Sequence, residues 1–157
     1  MNPPATAAIP PLALGVCSWS LQVASIAELK RLLDGLGVGL CQVACGDPHH
    51  ASWDEGDALP EAALASGLTF TGAMLGFPGE DYTTPQTIRA TGGFGNPADR
   101  PERLRRLEWA LERTVALGLT DLMLHAGFLP DPDDPDRGPF LDTLARAGQL
   151  AQEKGIT

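Results

Sequence analysis

One short turn recurs four times along this chain and constrains its fold more than any other feature. The copies read Gly37-Val38-Gly39, Gly67-Leu68-Thr69, Gly118-Leu119-Thr120 and Gly155-Ile156-Thr157. Glycine readily adopts the left-handed conformation that ends helices. The aliphatic residue after it begins an apolar run in the first three copies, as expected for a buried strand. Each copy therefore predicts a connection from a helix to a strand.

Apolar runs and amphipathic stretches alternate between these turns. Strands are predicted at Leu14–Trp19, Val38–Ala44, Leu68–Leu75 and Leu119–His125, and helices at 26–36, 57–66, 99–116 and 140–154. Two of the helices also carry capping signals. Ser25 and Glu28 have the spacing of a capping box, and Asp99 is expected to cap the third helix, with Glu102 reaching back to it. The alternation predicts a parallel sheet covered by helices.

Two α/β architectures fit this alternation. A doubly wound open sheet is complete with about four or five strands, whereas a closed (β/α)₈ barrel needs about 250 residues. The doubly wound nucleotide-binding fold expects a glycine-rich loop after the first strand, where this chain reads Ser18-Trp-Ser-Leu-Gln22. The fourth turn leads to Thr157, so we expect a fifth strand to follow. We therefore predict a TIM-barrel-type α/β fold, an N-terminal half with about four βα units over residues 12–157, after a flexible lead-in at 1–11.

Composition narrows the choice of partners and location. The formal net charge of -9 comes from 20 acidic and 11 basic residues, and an acidic surface repels nucleic acid. The sequence contains no run of about 18 apolar residues, which is the length that a membrane span needs. Residues Met1–Pro11 lack the basic start of a secretory signal. The three cysteines favour a reducing compartment. We expect a cytoplasmic protein, with Cys41 and Cys45 as buried thiols and not zinc ligands.

All three histidines follow predicted strands, at the edge where both architectures bind ligands. His125 can bind a metal through a neutral imidazole or hold a substrate hydroxyl, and the alternative is a structural histidine. His49 and His50 lie in a polar loop, either at the surface or with one of them reaching the substrate. Trp19 can stack on a sugar ring or fill the barrel core. The connection 76–98, which carries Glu80, Tyr82 and Arg89, is predicted to be a lid or substrate loop without regular structure.

Four segments of the chain resemble one enzyme family. They are Gly15-Val-Cys-Ser-Trp-Ser20, Gly79-Glu-Asp-Tyr-Thr-Thr84, Thr91-Gly-Gly-Phe94 and Leu122-Met-Leu-His-Ala-Gly127. Together they resemble sugar phosphate isomerases/epimerases of the xylose-isomerase-like barrel superfamily, and the resemblance covers nearly the whole chain. The superfamily also includes apurinic endonucleases, hydroxypyruvate isomerases and enzymes of inositol catabolism.

The resemblance implies a mechanism and a set of site residues. A divalent metal (Mn, Mg, Zn or Co) polarises a carbonyl of the sugar or sugar phosphate, and two glutamates move the neighbouring carbon-bound proton. In the epimerase-like members those glutamates and the main metal ligands come from the fifth strand onwards, so the resemblance implies that they lie beyond Thr157. His125 matches a family histidine that lies near substrate and in some members contacts the metal. Trp19 and the loop of His49 and His50 match segments that wall the pocket.

Three functions stay open at this point. The first is a metal-dependent sugar isomerase/epimerase that is inactive without a C-terminal half. The second is a non-catalytic half-barrel that binds or assembles, because unpaired strand edges favour a homo-oligomer. The third is an apurinic-endonuclease-like hydrolase, against which the net charge of -9 argues.

Overall fold

The chain folds into four parallel strands that alternate with helices in a computed structural model, which describes residues 12–46 and 53–157. The strands are β1 (Gly15–Cys17), β2 (Leu40–Gly46), β3 (Thr69–Leu75) and β4 (Leu122–Leu124), in the sheet order β1-β2-β3-β4. The helices are α1 (Ile26–Leu36), α2 (Leu59–Ala65), α3 (Pro85–Thr91), α4 (Arg100–Ala116) and α5 (Arg137–Glu153). Chain order and sheet order coincide, as in a barrel wall, which confirms the predicted α/β half-barrel.

The recurring glycine turn has the predicted conformation in all four copies. Gly37, Gly67, Gly118 and Gly155 have φ values of 67°, 74°, 71° and 69°. A residue with a Cβ rarely adopts this region, so glycine ends each helix and reverses the chain towards the sheet.

The fourth turn brings the backbone of Thr157 alongside β4. Its N–H donates to the Thr120 carbonyl at 2.8 Å, and its carbonyl accepts from the Leu122 N–H at 3.0 Å. These two bonds flank Asp121 in the pattern of a parallel ladder. The edge of β4 farther from β3 therefore pairs with an extended backbone at this point.

Helix α1 begins as predicted. The Ser25 side chain accepts a hydrogen bond from the Glu28 N–H at 3.2 Å. The Glu28 carboxylate accepts from the N–H of Ala24 and not from that of Ser25, so the second bond of the capping box is displaced by one residue.

The predicted cap of α4 is wrong in its side-chain contacts. Asp99 precedes Arg100 as expected, but its side chain makes no capping bond because its backbone is helical, with φ -89° and ψ -17°. A capping side chain requires an extended backbone at that residue. Asp99 instead accepts a hydrogen bond from Asn96 Nδ2 at 2.9 Å, and Glu102 pairs with Arg105.

The face of the sheet that packs against the helices is buried. Cys41, Val43 and Cys45 of β2 are fully buried, as are Ala73 and Leu75 of β3. The two cysteines are free thiols, in line with the prediction, and burial raises the pKa of Cys41 to about 12. No helix in the described part of the chain is long and apolar enough to cross a membrane.

The opposite face of the sheet is open. Leu122 and Leu124 pack against the core, so Met123 between them points to this side, where it is 48% exposed. The Cys17 thiol donates to Gln42 Oε1 at 3.5 Å across β1 and β2. In a closed barrel this face would line the interior.

Candidate functional site

A loop from the β3–α4 connection lies directly on the carboxyl end of β4. The Phe94 N–H donates to the Ala126 carbonyl at 2.8 Å. Gly93, with φ 52°, lies so close that a Cβ on it would fall 2.1 Å from the carbonyl carbon of Ala126. Only glycine fits here, and this contact explains the Gly-Gly pair in the sequence.

His125, the first residue after β4, rests against this loop. A Cβ on Gly92 would lie 2.7 Å from both Cε1 and Nδ1 of the imidazole. Nδ1 is buried and has no hydrogen-bond partner among the described residues. The ring is therefore held by packing, and Nε2 is the nitrogen left for a ligand.

Glu80 anchors the loop from beneath. Its side chain is almost fully buried and accepts three hydrogen bonds, from the N–H of Phe77 at 3.1 Å, the N–H of Gly93 at 2.8 Å and the Tyr82 hydroxyl at 3.2 Å. A buried carboxylate needs such donors to offset its lost hydration. Because all three hold the loop, Glu80 is a structural anchor in this conformation.

Two buried arginines of α4 complete the support. Arg103 donates to the carbonyls of Thr91 and Gly93, and its guanidinium lies 5.1 Å from the Phe77 ring centre. Arg100 donates to the Phe94 carbonyl at 2.8 Å and binds Asp136 just before α5. The hydrogen bond from Arg100 lowers the pKa of Asp136 below its ordinary value. The loop is thus tied to α4 and through it to α5.

Three rings form one aromatic wall at the end of β4, defined here as Tyr82, His125 and Phe128. The ring centre of His125 lies 6.2 Å from that of Tyr82 and 6.0 Å from that of Phe128. The Arg89 guanidinium lies 5.5 Å from the Phe128 ring centre. Tyr82 and Phe128 are both exposed in part, so the wall faces solvent where a ligand could approach.

The chemistry of Tyr82 follows from this position. Burial, followed by the neighbouring charge of Glu80 and the hydrogen bond to it, raises the pKa of the Tyr82 phenol to about 12. The hydroxyl stays protonated at neutral pH and serves as a donor.

Trp19, another predicted site residue, does not join this wall. Trp19 lies in a 3₁₀ turn, Ser18–Leu21, after β1, at the opposite edge of the four-stranded sheet from β4. It is partly buried there. His49 and His50 fall outside the described residues. Sequence reasoning missed the role of Phe128, although an aromatic residue three positions after His125 was a visible signal.

The described residues offer few side chains that could bind the predicted metal ion. Within residues 12–46 and 53–157, no three His, Cys, Asp or Glu side chains gather where they could hold a metal ion. A histidine that binds a metal usually donates its other ring N–H to an acceptor, and Nδ1 of His125 has none among these residues. The described residues therefore do not fit a metal on their own.

Comparison with known proteins identifies structures of the same fold. No family model and no curated protein matches the chain. The solved structure of a xylose isomerase domain protein from Planctomyces limnophilus matches 92% of this chain with a TM-score of 0.73 at 23% identity. The chain has the fold of half a xylose-isomerase-like barrel.

Two other solved structures match with lower TM-scores. A D-allulose 3-epimerase from Methylomonas sp. has a TM-score of 0.56 at 21% identity over 93% of the chain. A sugar phosphate isomerase/epimerase from Parabacteroides distasonis has a TM-score of 0.53 at 14% identity over 96%. The chain spans about half the length of these structures, which it covers to 52%, 50% and 51% in the order given.

Proposed function

We propose that the chain supplies the first four βα units of a sugar isomerase or epimerase that moves a proton next to a carbonyl. The observation that carries the proposal is His125, which sits in the aromatic wall at the carboxyl end of β4 in a half-barrel. TIM-barrel enzymes place their active sites at this end. The likeness to sugar isomerases and epimerases supports the class of reaction.

In this proposal His125 holds the substrate. Its Nδ1 faces the Gly92 backbone, so Nε2 exchanges a hydrogen bond with a sugar hydroxyl. The rings of Tyr82 and Phe128 flank that hydroxyl and give the apolar face of a sugar a surface to pack on. The wall also excludes water from one side of the bound sugar.

The group that moves the proton lies outside the described residues in this proposal. Glu80 contacts the wall through the Tyr82 hydroxyl, but it is buried and its oxygens already accept three hydrogen bonds. A general base must reach the proton that it abstracts. The resemblance implies glutamates from later strands and a divalent metal. We therefore propose that residues 1–157 alone bind the sugar and do not turn it over.

Solvent exchange tests the proposed reaction. The whole encoded protein is incubated with D-allulose or D-allulose 6-phosphate in D₂O with Mn²⁺, and deuterium at the carbons beside the carbonyl is followed by NMR. Deuterium incorporation is expected, and His125→Ala raises KM about tenfold through loss of a hydrogen bond to substrate. Absence of exchange with a panel of ketoses and their phosphates would contradict the proposal.

A second candidate, a half-barrel assembly module, has one observation in its favour. The open face of the sheet exposes Met123, and Leu14 beside β1 is 73% exposed. Apolar side chains at the two edges of a sheet favour association with another sheet. The test of this candidate is the oligomeric state of the chain.

A further inference from the structure

A cavity of about 450 Å³ lies between the β3–α4 connection and the first two turns of α4. Its apolar part includes Phe77 and Pro78. Its polar part is formed by Thr91, Asn96, Asp99, Glu102, Arg103 and Arg106. This volume is in the range of small-molecule sites. We call it the α4 cavity.

Arg106 is the unusual residue in the α4 cavity. Its guanidinium lies 4.2 Å from the Trp109 ring centre, and a Cβ on Gly46 would fall 2.8 Å from Nη2. Its Nε is buried and has no hydrogen-bond partner among the described residues. Stacking on Trp109 and the missing side chain at Gly46 thus hold a guanidinium whose Nε–H is unpaired among the described residues.

The other charges of the cavity are already paired. Arg103 donates to two loop carbonyls, and the exposed carboxylates of Asp99 and Glu102 pair with Arg103 and Arg105. Arg103 and the Nε atom of Arg106 are buried, whereas the side chains of Asp99 and Glu102 are 46% and 70% exposed. Buried charges are screened less than exposed ones. The amino end of α4 adds a positive field. The buried side of the cavity therefore presents guanidinium groups, although the chain as a whole is acidic.

We propose that the α4 cavity binds a small molecule through an oxyanion, either a phosphate or a carboxylate group, with Arg106 as its main ligand. A guanidinium fork matches two oxygens of such a group. The apolar surface of Phe77 and Pro78 packs against the rest of the molecule. The cavity offers no second unpaired charge, which favours a ligand with one anionic group.

The α4 cavity is separate from the aromatic wall. Thr91 lines the cavity, while Gly92 and Gly93, the next two residues, contact His125 and Ala126 on β4. One loop thus forms a wall of both sites. The proposal does not depend on the proposed isomerase reaction, and its test uses binding alone.

Titration with inorganic phosphate and, in a second series, with acetate tests the proposal. The Nε–H resonance of Arg106 and the amide of Thr91 are followed by NMR in the whole protein. A saturable shift of both signals is expected with one of the two anions, and the tighter anion identifies the group. Arg106→Gln weakens that binding by about tenfold or more, because charge-assisted bonds are lost.

Arg105→Gln is the matched control. Arg105 is the neighbouring arginine, exposed and paired with Glu102, so its loss changes the affinity less than about twofold. If Arg106→Gln fails to fold, Arg106→Lys keeps the charge and removes the fork, and weaker binding is again expected. The proposal is overturned if neither anion shifts the Arg106 signal saturably, or if Arg106→Gln binds as tightly as the unchanged protein.

Discussion

At Gly93 both the backbone conformation and the neighbouring backbone exclude any residue larger than glycine. Its φ of 52° already costs any other residue about 1–2 kcal/mol. A Cβ would in addition overlap the backbone of Ala126 and Gly127, at 2.1 and 2.2 Å, which cannot rotate away. Gly93→Ala is therefore expected to lower the free energy of unfolding by at least about 3 kcal/mol, measured by urea denaturation.

Gly79→Ala is the control for this prediction. Gly79 has φ 86°, and a Cβ there would have nothing within 4 Å, so only the conformational cost of about 1–2 kcal/mol applies. Equal losses in the two variants would show that the close contact between Gly93 and β4 contributes nothing.

Tyr82 gives a second test at this scale. It is the only tyrosine in the chain, so the absorbance of ionised phenol reports on it alone. Burial and Glu80 raise its pKa from 10.0 to about 12. Alkaline titration of the folded protein, followed near 295 nm, is expected to have its midpoint close to the higher value. A midpoint near 10.0 would mean that the hydroxyl does not pack beside Glu80.

The same shift predicts how stability depends on pH. Because the pKa is higher in the folded chain than in the unfolded one, the folded chain holds the proton more tightly. This contribution is fully present below about pH 10 and is lost as pH rises towards about 12. Tyr82→Phe is expected to flatten the fall of the urea midpoint across that window.

Helix α3 is the element that depends most on local bonds. Its seven residues bury no side chain completely, and it begins with a capping box in which the Thr84 and Thr87 side chains bind each other's N–H. Thr84→Ala is expected to cost about 1 kcal/mol and to speed amide exchange within Pro85–Thr91. Ser20→Ala, at an exposed serine in the turn after β1, should change neither.

The contrast between α3 and the other elements explains which parts of the fold the sequence predicts. The four glycine turns and the apolar runs between them are repeated over many residues, and such periodic signals predicted the half-barrel. The α3 segment lacks an apolar stripe, so the sequence predicts no regular structure in the connection 76–98, and this prediction is wrong because Pro85–Thr91 is a helix. Asp99 has the residue type of a cap but a helical backbone, which only the preceding turn determines.

The site was predictable to a similar extent. The position of His125 follows from the length of one strand, and it was expected at this edge. Its neighbours Tyr82 and Phe128 belong to separate loops, and their meeting depends on Glu80 and on the contact between Gly93 and β4. Such long-range contacts leave no periodic signal in a sequence.

At the scale of the whole molecule, the open sheet predicts self-association of the 157-residue chain. Met123 is exposed on the face that a closed barrel would bury. Two copies can pack these open faces against each other and bury Met123. Sedimentation velocity is expected to show twice the monomer mass of 16.5 kDa. Met123→Lys shifts the chain towards monomer by placing a charge in that interface.

Leu64→Lys provides the comparison for the association experiment. Leu64 is 62% exposed on α2, so the change adds the same charge to a different element. It should leave the association unchanged. A monomer in the unchanged chain, or equal effects of the two lysines, would contradict the predicted interface.

The contact between Gly93 and β4 has a consequence for how this protein can diversify. Gly93 contacts the backbone of Ala126 and Gly127 directly, so no larger side chain can replace it. This part of the site therefore tolerates little substitution. The residues around this contact are exposed to solvent. They are Tyr82, Arg89 and Phe128. Substitution of these exposed residues, one at a time, can therefore change which ligand binds without disturbing the backbone contact between Gly93 and the end of β4.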